Sequence, residues 1–150
     1  MNNGVTIDQL HEMWTTDSPI NETEPSKELA KVSSLHAKYL RLRSHHNLIV
    51  KKLLTEYNSR KKIMWEYYSG DLNNPEDLTK YNLEPLRRKI LRQDIPIYLD
   101  TDEELTKILI KKIIHQEIVD LCESILKELN NRTYQLGNIV KWETFAGGGH

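Results

Sequence analysis

Apolar residues recur along this chain at steps of three and four in two long stretches. The first runs from Leu29 through Val32, Leu35, Tyr39, Leu42, His46 and Ile49 to Leu53. Leu35, Leu42 and Ile49 are seven apart, as are Tyr39, His46 and Leu53, which predicts a helix with a coiled-coil-like seam. Past Leu53 the pattern drifts to Leu54, Tyr57, Met64 and Tyr68, so the helix is expected to meet different neighbours at its two ends. No Pro or Gly interrupts residues 26–68, and Ser69-Gly70 supplies a stop. Such a helix is roughly 60 Å long, more than a small globule needs, so it must find partners in its own chain or in other subunits.

The second stretch opens at Thr101-Asp-Glu-Glu104, which reads as a capping box. Ile110, Ile114, Ile118, Leu121, Ile125 and Leu129 follow at helical spacing, and Leu105, Ile113 and Leu126 widen the face. One neighbour would not cover so broad a face, which points to self-association as well as intrachain packing. Asn130-Asn131 and Gly137 are expected weak points where this helix bends or breaks, and Gly147-Gly-Gly149 is expected to be a mobile tail. Val5, Ile7, Leu10, Met13 and Trp14 predict a short helix over residues 4–14, with Trp14 docking on the body or on a partner. Between the long helices, Pro85 suits the first turn of a short helix through Arg92. Ile95-Pro-Ile-Tyr-Leu99 then reads as an extended connector.

Charge divides the chain more sharply than its net of -1 suggests. Residues 1–30 hold one Lys or Arg against six acids, whereas residues 31–62 hold nine against one. Lys31, Lys38, His45 and Lys52 are seven apart, with Arg41 and Lys62 close to the same line. Helix surfaces normally intersperse the two signs, so a face with almost no acids suggests a localised anionic partner. The stripe ends in Arg60-Lys61-Lys62, followed by Trp65, Tyr67 and Tyr68. Cations can neutralise phosphates there and aromatic faces can stack on unpaired bases, or the rings can cap a helical core and anchor the turn. Arg87, Arg88, Lys89 and Arg92 form a smaller basic cluster. The acidic, proline-containing linker from Thr15 to Pro25 can lie against the basic block when no nucleic acid is bound.

Other chemistry is not indicated. No Gly-rich phosphate loop occurs, and no catalytic constellation is proposed by the pattern. The six histidines are scattered apart from His45-His46, so no metal site and no cofactor are expected. Cys122 stands alone within an apolar pattern, reading as a buried small hydrophobe in a reducing interior. Neither a signal peptide nor a run of ~18 apolar residues is seen, so a non-membrane, intracellular protein is expected.

Glu66-Tyr-Tyr-Ser-Gly70, preceded by basic residues, resembles the UvsY family of recombination mediators from T-even-like bacteriophages. Leu35, Lys38, Leu40 and Ser44 upstream, Asp120, Cys122, Ser124, Leu126 and Lys127 downstream, and Phe145-Ala146-Gly147 in the tail match in order and spacing. The family has a Lys and an Arg two residues apart before the Tyr pair. Lys62 matches that Lys, while Met64 stands where the Arg would be, so Arg60 and Lys61 are candidates to supply the charge. The resemblance implies a non-enzymatic helical protein that forms a ring of about six or seven subunits. It also implies binding to single-stranded DNA, contact with a UvsX-like phage recombinase and with the phage single-strand-binding protein, and location in the cytoplasm of an infected bacterium.

Together these readings predict an all-α chain of two long helices plus short ones, assembling into a ring-like homo-oligomer. Residues 1–25 would be an acidic helix and linker, 26–70 the basic DNA-binding helix, 71–100 a connector with a short basic helix, and 101–150 the oligomerisation helix and tail. The expected DNA-binding residues are Lys38, Arg41, Lys52, Arg60, Lys61, Lys62, Arg87, Arg88 and Lys89. Ile110, Ile114, Ile118, Leu121, Ile125 and Leu129 are the expected self-association residues. The competing reading is a structural coiled-coil adaptor that binds only proteins, its basic stripe paired with acidic residues 17–28 of a neighbour.

Overall fold

A computed structural model describes residues 4–148, and every regular element among them is helical. The elements are α1 (Ile7–Asp17), α2 (Pro25–Ser69), α3 (Pro75–Lys80), a 3-10 turn (Arg92–Asp94), α4 (Ile95–Asp100) and α5 (Glu103–Gly148). The chain divides into two compact units. One comprises the chain up to Ile49 together with the chain from Ile114 onward, and the other is Val50–Ile113.

In the first unit α1 packs with parts of α2 and α5. Thr6 caps α1, accepting the Gln9 N–H at 3.1 Å while the Gln9 side chain accepts the Thr6 N–H at 2.9 Å. Two of the four unpaired donors of a helix start are thereby satisfied, which is why α1 begins at Ile7 rather than at residue 4. Leu10, Val32, Tyr39, Leu42, Ile118, Cys122, Ile125, Leu129 and Leu136 form the core. Trp14 sets its edge against Tyr39, with ring centroids 5.6 Å apart. Arg43 ties α2 to α5, donating from Nε and Nη2 to Glu123 at 3.0 and 2.8 Å.

The histidines are less scattered than their numbering suggests. His46 is buried, and its ring stacks on His115 with the two Nδ1 atoms 2.9 Å apart. The Val5 N–H donates to His46 Nε2 at 3.1 Å, so that nitrogen carries no proton and the neutral ring holds its proton on Nδ1. Burial, with His115 and His45 alongside, pushes His46 down to about 4. Among the described residues no group of three or more side chains could hold a metal ion.

In the second unit Met64, Ile95, Leu99 and Leu105 form the core, with Tyr57, Tyr67, Tyr68, Leu83 and Ile90 packed around it. Gly70 ends α2 at φ +88°, a left-handed conformation that a side chain would strain. Asn74 caps α3 by accepting the Glu76 N–H at 3.0 Å, with Pro75 in the first turn.

Several sequence expectations are corrected. Residues 85–91 are irregular, not helical, and the short helix lies at Ile95–Asp100, where an extended connector was expected. Of the two prolines it is Pro96 that opens a helix, because Ile95 and Leu99, four apart, are both buried and anchor that turn. Within residues 85–92 no side chain is buried, Leu86 and Ile90 being only half-buried, so no comparable anchor holds a helix that would stack four cations along two turns. Asp102, not Thr101, caps α5, its carboxylate accepting the Leu105 N–H at 2.9 Å, while the Thr101 hydroxyl closes α4 on the Ile97 carbonyl at 2.9 Å.

Helix α5 runs unbroken through Asn130-Asn131 and Gly137, and Gly147 and Gly148 are still helical. A Gly or Asn inside a helix costs at most about 1 kcal/mol, and burial of Leu129, Arg132 and Leu136 around these positions outweighs it. Gly149, expected in a mobile tail, lies outside the described residues.

Two measurements check this packing. Leu129→Ala should cost about 2–5 kcal/mol in urea denaturation, because it empties a fully buried leucine site. Because folding keeps His46 neutral, its contribution is complete above pH ~6.5 and falls as the pH drops toward the folded value of about 4. The wild type should therefore lose about 2 kcal/mol more than His46→Gln between pH 7.5 and pH 5.

Candidate nucleic-acid interface

The expected DNA-binding cations are divided between the two units. Lys38 and Arg41 belong to the first, and Lys52, Arg60, Lys61, Lys62, Arg87, Arg88 and Lys89 belong to the second. Their surroundings differ in kind.

In the first unit an acid already holds the stripe. Asp17, the last residue of α1, accepts from Lys38 Nζ at 2.6 Å and from the Tyr39 hydroxyl at 2.7 Å. Burial raises the Asp17 carboxyl, but the two hydrogen bonds and the Lys38 charge outweigh it and hold the group below its ordinary value. Lys31 is likewise paired with Glu28 at 3.1 Å. Of the acidic segment from Thr15 to Pro25, Asp17 thus lies against the basic stripe at Lys38, whereas Glu28 pairs with Lys31 within α2 itself. Arg41 stays exposed beside a groove of about 440 Å³ lined by Met13, Ser34, Ala37, Lys38 and Leu42.

In the second unit the cations are open. Lys52, Lys61, Lys62, Arg87 and Lys89 are exposed and, among the described residues, form no ion pair. Lys61 Nζ lies 5.8 Å from the centre of the Tyr57 ring, and Arg88 donates to the Tyr98 hydroxyl at 3.2 Å. Arg60 is different. It is half-buried, and its Nε is shielded from water without a partner. It therefore stands with the inner side of α2 rather than with Lys61 and Lys62.

The aromatics at the end of α2 also divide. Tyr67 donates its hydroxyl to the Glu84 carbonyl, and Tyr68 donates to Asp102 at 3.1 Å. Both rings pack around the core of their unit, and Tyr68 also meets Tyr98 at 5.4 Å. Burial, reinforced by the Asp102 charge, pushes the Tyr68 hydroxyl up to about 12, so it remains a neutral donor. Their hydroxyls are committed to the connector and to the cap of α5. Trp65, in contrast, is 38 % exposed. It lines a cleft of about 440 Å³ with Ser69, Asp71, Lys89, Ile90, Leu91, Arg92 and Ile95.

Met64, where the resembled motif has its Arg, is 1 % exposed and central to the core. An unpaired charge at that position would be buried beside Ile95, Leu99 and Leu105. A profile of the family described as "Recombination, repair and ssDNA binding protein UvsY" matches residues 13–149.

The chain belongs to the UvsY family.

UvsY proteins are recombination, repair and single-stranded-DNA-binding proteins. Crystal structures of the bacteriophage T4 recombination mediator protein UvsY share the fold at 18–19% identity. In lattice type II the TM-score is 0.81, with 95% of this chain and 98% of that chain covered. In lattice type IV it is 0.79, covering 94% and 99%, and in lattice type I it is 0.77, covering 92% and 98%. No curated protein sequence is significantly similar. Among the described residues no helix is long and apolar enough to cross a membrane.

The expected self-association residues fall into two groups. Ile118, Ile125 and Leu129 are buried in the chain's own core, and Leu121 is half-buried against it. Ile110 and Ile114 remain 51 % and 44 % exposed. Tyr134, Trp142 and Phe145 on the same helix are more exposed still, with Trp142 and Phe145 stacked at 6.2 Å. Helical spacing alone does not separate apolar positions used inside a chain from those left outside.

Periodicity also missed three long-range ties. These are the His46–His115 pair, the Asp17 carboxylate on Lys38, and buried Arg132, which donates to the Ser18 carbonyl at 2.8 Å. Each joins polar residues far apart in sequence, which no local spacing encodes. Arg132 also places its guanidinium 5.4 Å from the centre of the Trp14 ring.

Proposed function

We propose that this UvsY-family chain is a recombination mediator that works as a homo-oligomer. It binds single-stranded DNA without sequence preference and favours loading of the phage recombinase in place of the single-strand-binding protein, in the cytoplasm of the infected host. The observation that carries this reading is the set of exposed cations without ion pairs in the second unit, Lys52, Lys61, Lys62, Arg87 and Lys89, in a member of a family that binds single strands. Unpaired cations take up phosphates without first breaking an internal pair, and the counterions released from the strand drive association. Within the first unit Lys38 takes a phosphate only by giving up Asp17, and Arg41 there is a secondary position, as Arg88 is in the second unit, while Arg60 is left out of the contact. A ring multiplies such modest contacts, because each subunit after the first binds at high effective concentration. The residues present form a binding surface for a polyanion and need no cofactor to do so.

Self-association would use what the intrachain core leaves over, namely Ile110 and Ile114 together with the exposed aromatics of α5. A second reading, an adaptor that binds proteins alone, is favoured by the Asp17–Lys38 pair, in which an acidic segment already occupies one member of the stripe. A gel shift with a labelled oligonucleotide separates the two.

For the preferred reading, Lys61→Ala with Lys62→Ala should weaken single-strand binding. It should also reduce the slope of log affinity against log salt by about 1.4 in magnitude, from ~0.7 per phosphate, at unchanged particle mass. Unchanged affinity would move the site to Arg87–Lys89. In light scattering, Ile110→Glu with Ile114→Glu should lower the particle mass while helical content is kept, since both side chains are exposed within the chain. An unaltered mass would assign assembly to other residues.

A further inference from the structure

We propose that the cleft beside Trp65 is a subsite for one unpaired base of the bound strand, with Lys89 and Arg92 taking the flanking phosphates. The inference rests on the single-strand-binding reading above and adds a place and a chemistry to it. All the residues concerned lie within the second unit. On α2, Trp65 follows Lys62 by three residues and Lys61 by four, so the indole shares a helix face with the two open lysines. A strand held on those lysines therefore reaches the ring within one helical turn.

The lining has the composition that a nucleotide asks for. Among the described residues Trp65 is the one ring of the Trp65, Tyr67, Tyr68 group that makes no hydrogen bond, and its indole borders the open cleft rather than the core. Leu91, exposed at 56 %, and the half-buried Ile90 offer an apolar surface around the same space. Every base has a π-face, so an aromatic platform of this kind accepts any base, which suits a protein that binds without sequence preference. Lys89 and Arg92 border the cleft and form no ion pair among the described residues, leaving both free for phosphate oxygens. Asp71 also lines the cleft. Its carboxylate repels phosphate and can accept from a base N–H, which every base offers on a ring nitrogen or an amino group, so it directs the base, not the backbone, toward its own side. A volume of about 440 Å³ lies within the range of small-ligand sites.

The test separates stacking from charge. Fluorescence anisotropy would be measured with a labelled oligothymidylate and with an abasic strand of equal length, on the intact oligomer. Trp65→Leu keeps apolar bulk and removes the aromatic face. It should weaken oligothymidylate binding by about five-fold or more, the lower end for base–aromatic stacking, and leave abasic binding unchanged. Trp65→Phe should recover most of the loss, and Arg92→Ala should weaken both strands alike. Equal loss on both strands, or no loss on either, for Trp65→Leu would overturn the subsite while wild-type binding leaves the parent reading standing. A changed particle mass with unaltered DNA affinity would overturn it too, by assigning Trp65 to a subunit contact. Failure of the wild type to bind either strand would instead sink the single-strand reading itself.

Discussion

Burial of Met64 sets the rotation of the second half of α2, and the rest of the candidate site depends on that rotation. At roughly 100° per residue, fixing Met64 against Ile95, Leu99 and Leu105 turns Lys62 about 160° away, toward solvent. Trp65 falls about 100° round and Lys61 about 60°, so both emerge at the surface. Arg60, only about 40° from Met64, is drawn inward, which accounts for its half-buried position and shielded Nε. One apolar anchor thus sorts four neighbouring residues into those that can meet a polyanion and those that cannot. A cation at residue 64 would have to enter the core of the unit, at a desolvation cost of several kcal/mol unless a carboxylate met it there.

The same logic shows how much of the fold was legible in the chain. Periodicity of three and four located α1, α2 and α5, because a helix without a buried apolar face gains too little to hold its shape. The drift of the pattern after Leu53 anticipated a change of neighbours, and the cores of the two units, one around Tyr39 and one around Met64, are its physical cause. Breaks were harder to read. Asn130-Asn131 and Gly137 have weak propensities, yet buried residues on both sides keep the helix going. Pro85 and Pro96 are equally suited to a first helical turn, and only tertiary burial of Ile95 and Leu99 chooses between them. Propensity is local, while the deciding term is a contact made across the unit.

The candidate site was legible to a different degree. Its electrostatic part could be counted from the sequence, since nine cations against one acid within 31–62 cannot all be neutralised nearby. Which of them stay open could not be counted. Lys38 and Lys62 look alike on a charged stripe, but one is held by an aspartate from α1 and the other forms no ion pair among the described residues. The aromatic part was ambiguous for a related reason. A Trp and a Tyr pair at a helix end can stack on bases or fill a corner, and the choice depends on where the connector runs. The connector passes over Tyr67 and Tyr68, taking their hydroxyls on Glu84 and Asp102, and leaves Trp65 beside the cleft.

Polar ties hold α1 at both of its ends, and this has a consequence for how the stripe can work. At the start, the Val5 N–H rests on neutral His46; at the end, Asp17 grips Lys38 and Tyr39 while the Ser18 carbonyl takes a proton donor from Arg132. Between them Leu10 and Trp14 supply the apolar contact. A phosphate arriving at Lys38 must displace a carboxylate that a buried tyrosine also holds in place, so the gain from the new ion pair is offset by the loss of the existing one. Lys61 and Lys62 carry no such cost. Two cations of equal formal charge therefore differ in what they can contribute to binding, and the difference comes from the neighbours each has already satisfied rather than from its place on the helix.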